Sequence, residues 1–242
     1  MINRLFTSRP TLPLLILLAL VVPNRPARAA ENWQAALAQM PLTSRVTELN
    51  KTNFVAVMLG AFQSNQVVKA LIFMPGATDE FYFFNRGRTT LSSSSPTLLD
   101  AVSVLTNQTF IRATFRAPFL LLHTAEDPLE PMYRVEHAGV AEALKQKPFV
   151  PHVLYDDRDW DFLHPILTET LGVKFLPAVA TSDSWHFYRH SFAAWDLNGW
   201  EALEAISLAG KTTFTVRRSM ILKKPVVVFR GDTRVRAKPG TK

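Results

Sequence analysis

Cysteine is absent from all 242 residues, which excludes disulfides, thiol nucleophiles, cysteine-held metals and a lipid anchor on a terminal cysteine. Glycine is sparse at nine residues. No phosphate-cradling P-loop, G-x-G-x-x-G fingerprint or G-x-S-x-G elbow occurs, so the nucleotide-dependent and serine-hydrolase classes have no motif to rest on. Beyond the first thirty residues no apolar run approaches the roughly 20 residues that span a bilayer. Acidic residues all but vanish at the C-terminal end: Arg217 to Lys242 holds nine basic residues against Asp232 alone, a net of +8. From Ala30 to Val216 the count is 14 basic to 19 acidic, a net of −5. The basicity of the chain is therefore local, and suits an anionic partner of some kind without choosing it.

The first thirty residues carry the three regions of a secretory signal. Arg4 and Arg9 supply positive charge, Leu12 to Val22 an apolar run, and Ala27 and Ala29 the small residues of an A-x-A cleavage site. The apolar run is broken by Pro13 and bounded by Pro23, too short for a membrane span. Cleavage is expected after Ala29, which leaves a mature chain with no transmembrane segment, periplasmic or outer-membrane-associated.

The mature chain repeats itself. Residues 81–110 lie over 185–214 without a gap, a register of 104, with Leu99 over Leu203, Ala101 over Ala205, Val102 over Ile206, Ser103 over Ser207 and Phe110 over Phe214. Further upstream, with one extra residue in the second copy, Val68 and Lys69 lie over Val173 and Lys174. In each copy a short strand leads into an amphipathic helix, then two extended segments, a second helix and a closing hairpin. Asp157, Asp159 and Asp161 favour the positive end of a helix dipole, and Gly172 suits the helix stop. Asn198 is the expected cap of the later helix and Gly210 its end, while Ser95 with Pro96 at the first helical position is expected in copy one. The closing hairpin of copy two is read as Thr212–Arg218 with a strand beginning at Met220.

This order, βαββαββ, predicts an α+β fold: two tandem small domains, each with helices packed on one face of a short sheet. The boundaries expected are a signal at 1–29, repeat one at 40–127, a linker with a short helix over Tyr133–Lys147 at 128–149, repeat two at 150–229 and a basic disordered tail at 230–242.

The features of copy two, namely Leu171-Gly172-Val173 at a helix end, Trp200 and Glu201-Ala202-Leu203 at a helix start, Gly210 followed by Phe214, and the apolar stretch Met220 to Leu222, occur in an order that resembles the small N-terminal periplasmic domains of bacterial secretins and the related short N-terminal domain of TonB-dependent receptors. The resemblance covers about eighty residues. Copy one lacks both glycines and joins it through the repeat. It implies protein-contact modules that stack into rings or bind partner subunits through helix faces and sheet edges, with no catalytic residue and no cofactor. A secretin barrel would need many more strands, so an adaptor of an envelope secretion or uptake complex is expected in place of a pore.

No enzyme constellation competes with that reading. His186 and His190 have helical metal spacing but fall in a segment read as a strand, where four residues separate them by roughly 13 Å. The aspartates from Asp156 to Asp161 lack the glycine and terminal glutamate of a calcium loop. The Arg-Gly-Asp run at Arg230 is a tripeptide too short to weigh. The partner-binding residues expected are Met220, Ile221 and Leu222, as an edge strand, with Arg217, Arg218, Lys223, Lys224 and Arg230 supplying attraction. Envelope protein subunits are the expected partners, with a homo-oligomer also open. Two alternatives stand beside this: nucleic acid held by the same basic residues with Arg234 and Arg236, stacking on Phe214 and Phe229, and a small ligand in a cleft between the copies. The signal assignment makes one direct prediction: the chain recovered from a bacterial periplasm begins at Ala30, as read by N-terminal sequencing.

Overall fold

A computed structural model describes residues 33–42, 46–63, 65–78, 89–127, 129–149, 152–158, 160–177 and 190–231. The signal segment, the extended segment expected at Phe81–Asn85, the side chains of the acidic helix start at Asp157–Asp161 and the tail after Gly231 lie outside the described residues or side chains.

The chain begins with a short helix, α1, at residues 33–38. The first half continues with β1 (Glu48–Leu49), α2 (Phe54–Ala61), β2 (Ala70–Phe73), the single turn α3 (Pro75–Thr78), β3 (Thr89–Thr90), α4 (Leu98–Gln108), β4 (Arg112–Arg116) and β5 (Phe119–His123). A connection of β6 (Met132–Val135) and α5 (Ala138–Gln146) leads to β7 (His152–Arg158), α6 (Trp160–Leu171), β8 (Lys174–Pro177), β9 (His190–Trp195), α7 (Gly199–Ala209), β10 (Thr212–Arg218) and β11 (Pro225–Gly231). The fold is mixed α+β, and apart from α3 the order βαββαββ occurs in each half.

Strand pairing repeats as well as order. In the first half β1 pairs antiparallel with β3, and a trio runs β4-β5-β2 with β5 antiparallel to β4 and parallel to β2. In the second half β7 pairs antiparallel with β9, and the trio β10-β11-β8 has β11 antiparallel to β10 and parallel to β8. The two units are then joined by their sheets. Strand β9 pairs antiparallel with β2, from Ala70 opposite Ala194 to Phe73 opposite Ser191, which makes one five-stranded sheet, β4-β5-β2-β9-β7. The arrangement expected was two tandem domains, each with its own sheet; in the structure the central sheet takes three strands from one half and two from the other.

The physical reason lies in the strands themselves. Every residue of β2, β5 and Ser191–Ala194 of β9 is buried, and strands buried on both faces read as unbroken apolar runs. Alternate residues serve different cores, since side chains along a strand point to opposite faces. Leu71, Phe73, Leu120 and Leu122 face a core built with Leu37, Phe54, Met58, Leu98 and Leu105. Ala70, Ile72, Phe119 and Leu121 face a second core built with Leu144, Trp200, Leu203, Ile206, Phe214 and Phe229.

Helix α7 consequently lies between the central sheet and the four-stranded one, against β2 and β9 on one side and β10 on the other, which differs from the expected packing on one face. Nine of the eleven residues of α7 are buried, and a helix buried nearly all round must be covered on more than one side. Its start is fixed by reciprocal bonds: Asn198 Oδ1 accepts from the Glu201 N–H at 2.8 Å and Glu201 Oε2 from the Asn198 N–H at 2.9 Å. The expected cap at Ser95 is replaced by Thr97, which makes the same capping box with Asp100. Gly172 ends α6 in the left-handed region at φ +63°. Gly210 ends α7 at φ −107°, and its need is spatial: a β-carbon there would overlap the buried imidazole of His190.

The expected linker helix is shorter than read. Tyr133 and Val135 suit a strand, and β6 runs parallel to β10, extending the second trio to β6-β10-β11-β8. His137 then caps α5 by accepting from the Val140 N–H.

A buried ion pair crosses between the halves. Asp127, with its side chain fully buried, accepts from Lys211 Nζ at 2.6 Å, from the Thr124 N–H at 2.7 Å and from the Gly76 N–H at 3.3 Å. Removing one member of a buried pair strands the other's charge, so Asp127→Ala is expected to cost about 3–5 kcal/mol, seen as a lowered urea midpoint with the slope of the transition retained.

Candidate functional site

The residues expected to contact a partner sit on the hairpin of β10 and β11. The two strands face each other from Thr212 opposite Gly231 to Arg218 opposite Pro225. Met220, Ile221 and Leu222, expected as an edge strand, form the turn between them. The run Val226 to Phe229 displaces them: three β-branched residues and an aromatic, all buried, make the better strand. Strand β11 also lies inside its sheet, between β10 and β8, and offers no open edge.

The turn is held by its own bonds. The Ser219 N–H donates to Lys224 O at 3.0 Å, the Leu222 N–H to Ser219 Oγ at 3.1 Å and Arg218 Nε to Lys223 O at 3.4 Å. Lys223 takes φ +50° to complete it. Met220 and Ile221 stand 93% and 92% exposed at the apex, with exposed Arg217, Arg218, Lys223 and Lys224 directly behind. Arg230 is not part of this group. It faces Thr213, five residues along the strand from Pro225, roughly 17 Å away at about 3.3 Å per residue.

Behind the hairpin an aromatic ladder crosses the four-stranded sheet. Tyr133 stacks on Phe214 at 5.4 Å, Phe214 meets Phe229 at 5.7 Å, and Phe229 stacks on Phe175 at 6.1 Å. Trp200 covers the Tyr133 end edge-on at 5.0 Å. Phe214 and Phe229, the residues considered for stacking on bases, are fully occupied in this core and buried; Tyr133 is the ladder's half-exposed end. Sequence reading missed the ladder because its members come from four strands whose pairing no local pattern discloses.

Strands β6 and β8 are the outer strands of this sheet. The β6 side carries Arg134 and Glu136, ion-paired at 3.3 Å and exposed, charges that disfavour pairing with another strand. The β8 side is equivalent by topology to the edge of β2 that β9 occupies.

His190, paired in sequence reading with His186, is buried in β9 against Gly210, while His186 lies outside the described residues. Among the described residues no group of three or more histidine, aspartate or glutamate side chains is placed to hold a metal ion, and no helix is long and apolar enough to cross a membrane. No family model, curated protein or solved structure matches the chain.

One carboxylate beside the ladder is held away from its ordinary state. Burial pushes the Glu204 carboxyl above the usual range, an effect reduced by the Trp200 N–H that donates to it at 3.2 Å and by the charge of Arg116. A raised folded pKa means that folding favours the protonated form, so this group opposes stability as pH rises through its folded pKa. Glu204→Gln, which retains an acceptor for Trp200, is therefore expected to raise thermal stability at pH 7, with the gain disappearing below pH ~4, where the carboxyl is neutral in both states.

Proposed function

We propose that this protein is an exported, non-catalytic adaptor or accessory subunit of the bacterial envelope, periplasmic or outer-membrane-associated, whose two secretin-N-domain-like halves contact other subunits of a secretion or uptake complex by adding strands to open sheet edges. The observation that supports this most directly is the β2–β9 pairing. It is a contact between one unit's trio and another unit's strand pair, made through main-chain hydrogen bonds, which is the recognition mode of strand addition. The second unit carries the corresponding edge on β8, to which no described strand is paired on its outer side.

The reading assigns Lys174, exposed on that edge, to the contact, and leaves the charged β6 edge outside it. A photoreactive residue placed at position 174 of the full chain is expected to crosslink to an envelope protein or to a second copy when activated in cells, and one at position 134 is expected not to. Absence of adducts at 174, or equal adducts at both positions, would remove this reading.

A further inference from the structure

The hairpin tip has a chemistry of its own, separate from the sheet edge and independent of the adaptor reading. Met220 and Ile221 present nearly all of their surface to solvent, where two large apolar side chains at the apex of an ordered turn contribute nothing to the core. Between Thr212 and Gly231 there are four further exposed side chains with a charge at this end, Arg217, Arg218, Lys223 and Lys224, and no carboxylate anywhere in the segment.

Position strengthens the case. Strand β6 reaches only as far as Val216 on β10, and β8 only as far as Val226 on β11. The Arg218–Pro225 rung and the whole turn therefore project beyond the sheet. The bonds of Ser219, Leu222 and Arg218 within the turn keep this projection in one shape, so little ordering remains to be done on contact.

An apolar apex of about two residues, ringed one residue behind by cations on long flexible stems, matches a bilayer interface of anionic lipid. The apex enters the acyl boundary, roughly 5–10 Å deep for an interfacial element, while the lysines and arginines extend to the phosphates. A nucleic acid would engage the cations but has no apolar phase to receive Met220 and Ile221, and no aromatic ring stands among residues 217–225 to stack on a base. We infer that the β10–β11 hairpin tip docks this protein on an anionic phospholipid surface, with Met220 and Ile221 inserted and Arg217, Arg218, Lys223 and Lys224 at the headgroups.

The test is co-sedimentation of the mature chain from Ala30 with vesicles of phosphatidylethanolamine and phosphatidylglycerol at 3:1, against vesicles of phosphatidylcholine alone. Binding is expected on the anionic vesicles only and is expected to fall as salt rises. Met220→Ser with Ile221→Ser is expected to weaken it at least tenfold with an unchanged melting temperature, because neither side chain is in the core, and Lys223→Gln with Lys224→Gln is expected to do the same. Equal binding by the double serine variant, equal binding to phosphatidylcholine, or capture of a nucleic acid or an acidic protein in place of vesicles would overturn the inference. The crosslink at position 174 is insensitive to these variants, so failure here and failure of the adaptor reading are separately visible.

Discussion

The antiparallel pairing of β2 with β9 determines most of what the molecule is. Strand β2 has only four residues, Ala70 to Phe73, yet it carries a parallel neighbour on one edge, an antiparallel neighbour from the other half on the opposite edge, and a separate hydrophobic core on each face. Without β9 it would be an edge strand with an apolar face and unpaired main-chain groups, the condition that promotes aggregation. The pairing removes that edge and turns two repeated units into a layered body with one sheet in the middle. The Asp127–Lys211 pair and the part-buried Lys69–Glu201 pair at 3.3 Å span the same boundary, and the desolvation of the first makes it a stringent fit in which Gly76 has no room for a side chain between Thr124 and Asp127.

Much of each unit was legible in the sequence because helix and strand periodicities are local. The order βαββαββ, the cap at Asn198 and the stops at Gly172 and Gly210 follow from residues within a few positions of one another. The register between copies was less secure. The gapless alignment offsets the later helices by 104, whereas their caps, Thr97 and Asn198, are offset by 101. A slip of three residues is close to one helical turn, so apolar positions still fall on apolar positions and composition cannot distinguish the two registers. In β2 and β8 the offset is 104, so the two copies differ by three residues in the length of chain between these strands and the later helices.

What lay beyond the sequence was partnership between distant segments. Nothing local to Ser191–Ala194 indicates that it pairs with residues more than a hundred positions earlier, and the strand preference of Tyr133 and Val135 over four residues is too weak to separate a short parallel strand from the start of the α5 helix. The candidate contact residues illustrate both sides. Their basic and apolar composition was visible as a cluster, but the cluster was read as a strand because three apolar residues in a row satisfy a strand pattern; the competing run of valines a few residues later takes the sheet position and leaves Met220–Leu222 in the turn. Arg230 was grouped with the others by proximity in sequence, and the hairpin carries it to the opposite end.

The repetition of pair and trio gives the molecule a direction. In the central sheet a trio edge, β2, receives a pair edge, β9. The strands that correspond to these by position in the repeat are β8 and β3, each with no described strand on its outer side. Self-association through them would be heterologous, each copy giving one edge and receiving the other, building a closed ring where the rotation closes and an open filament where it does not.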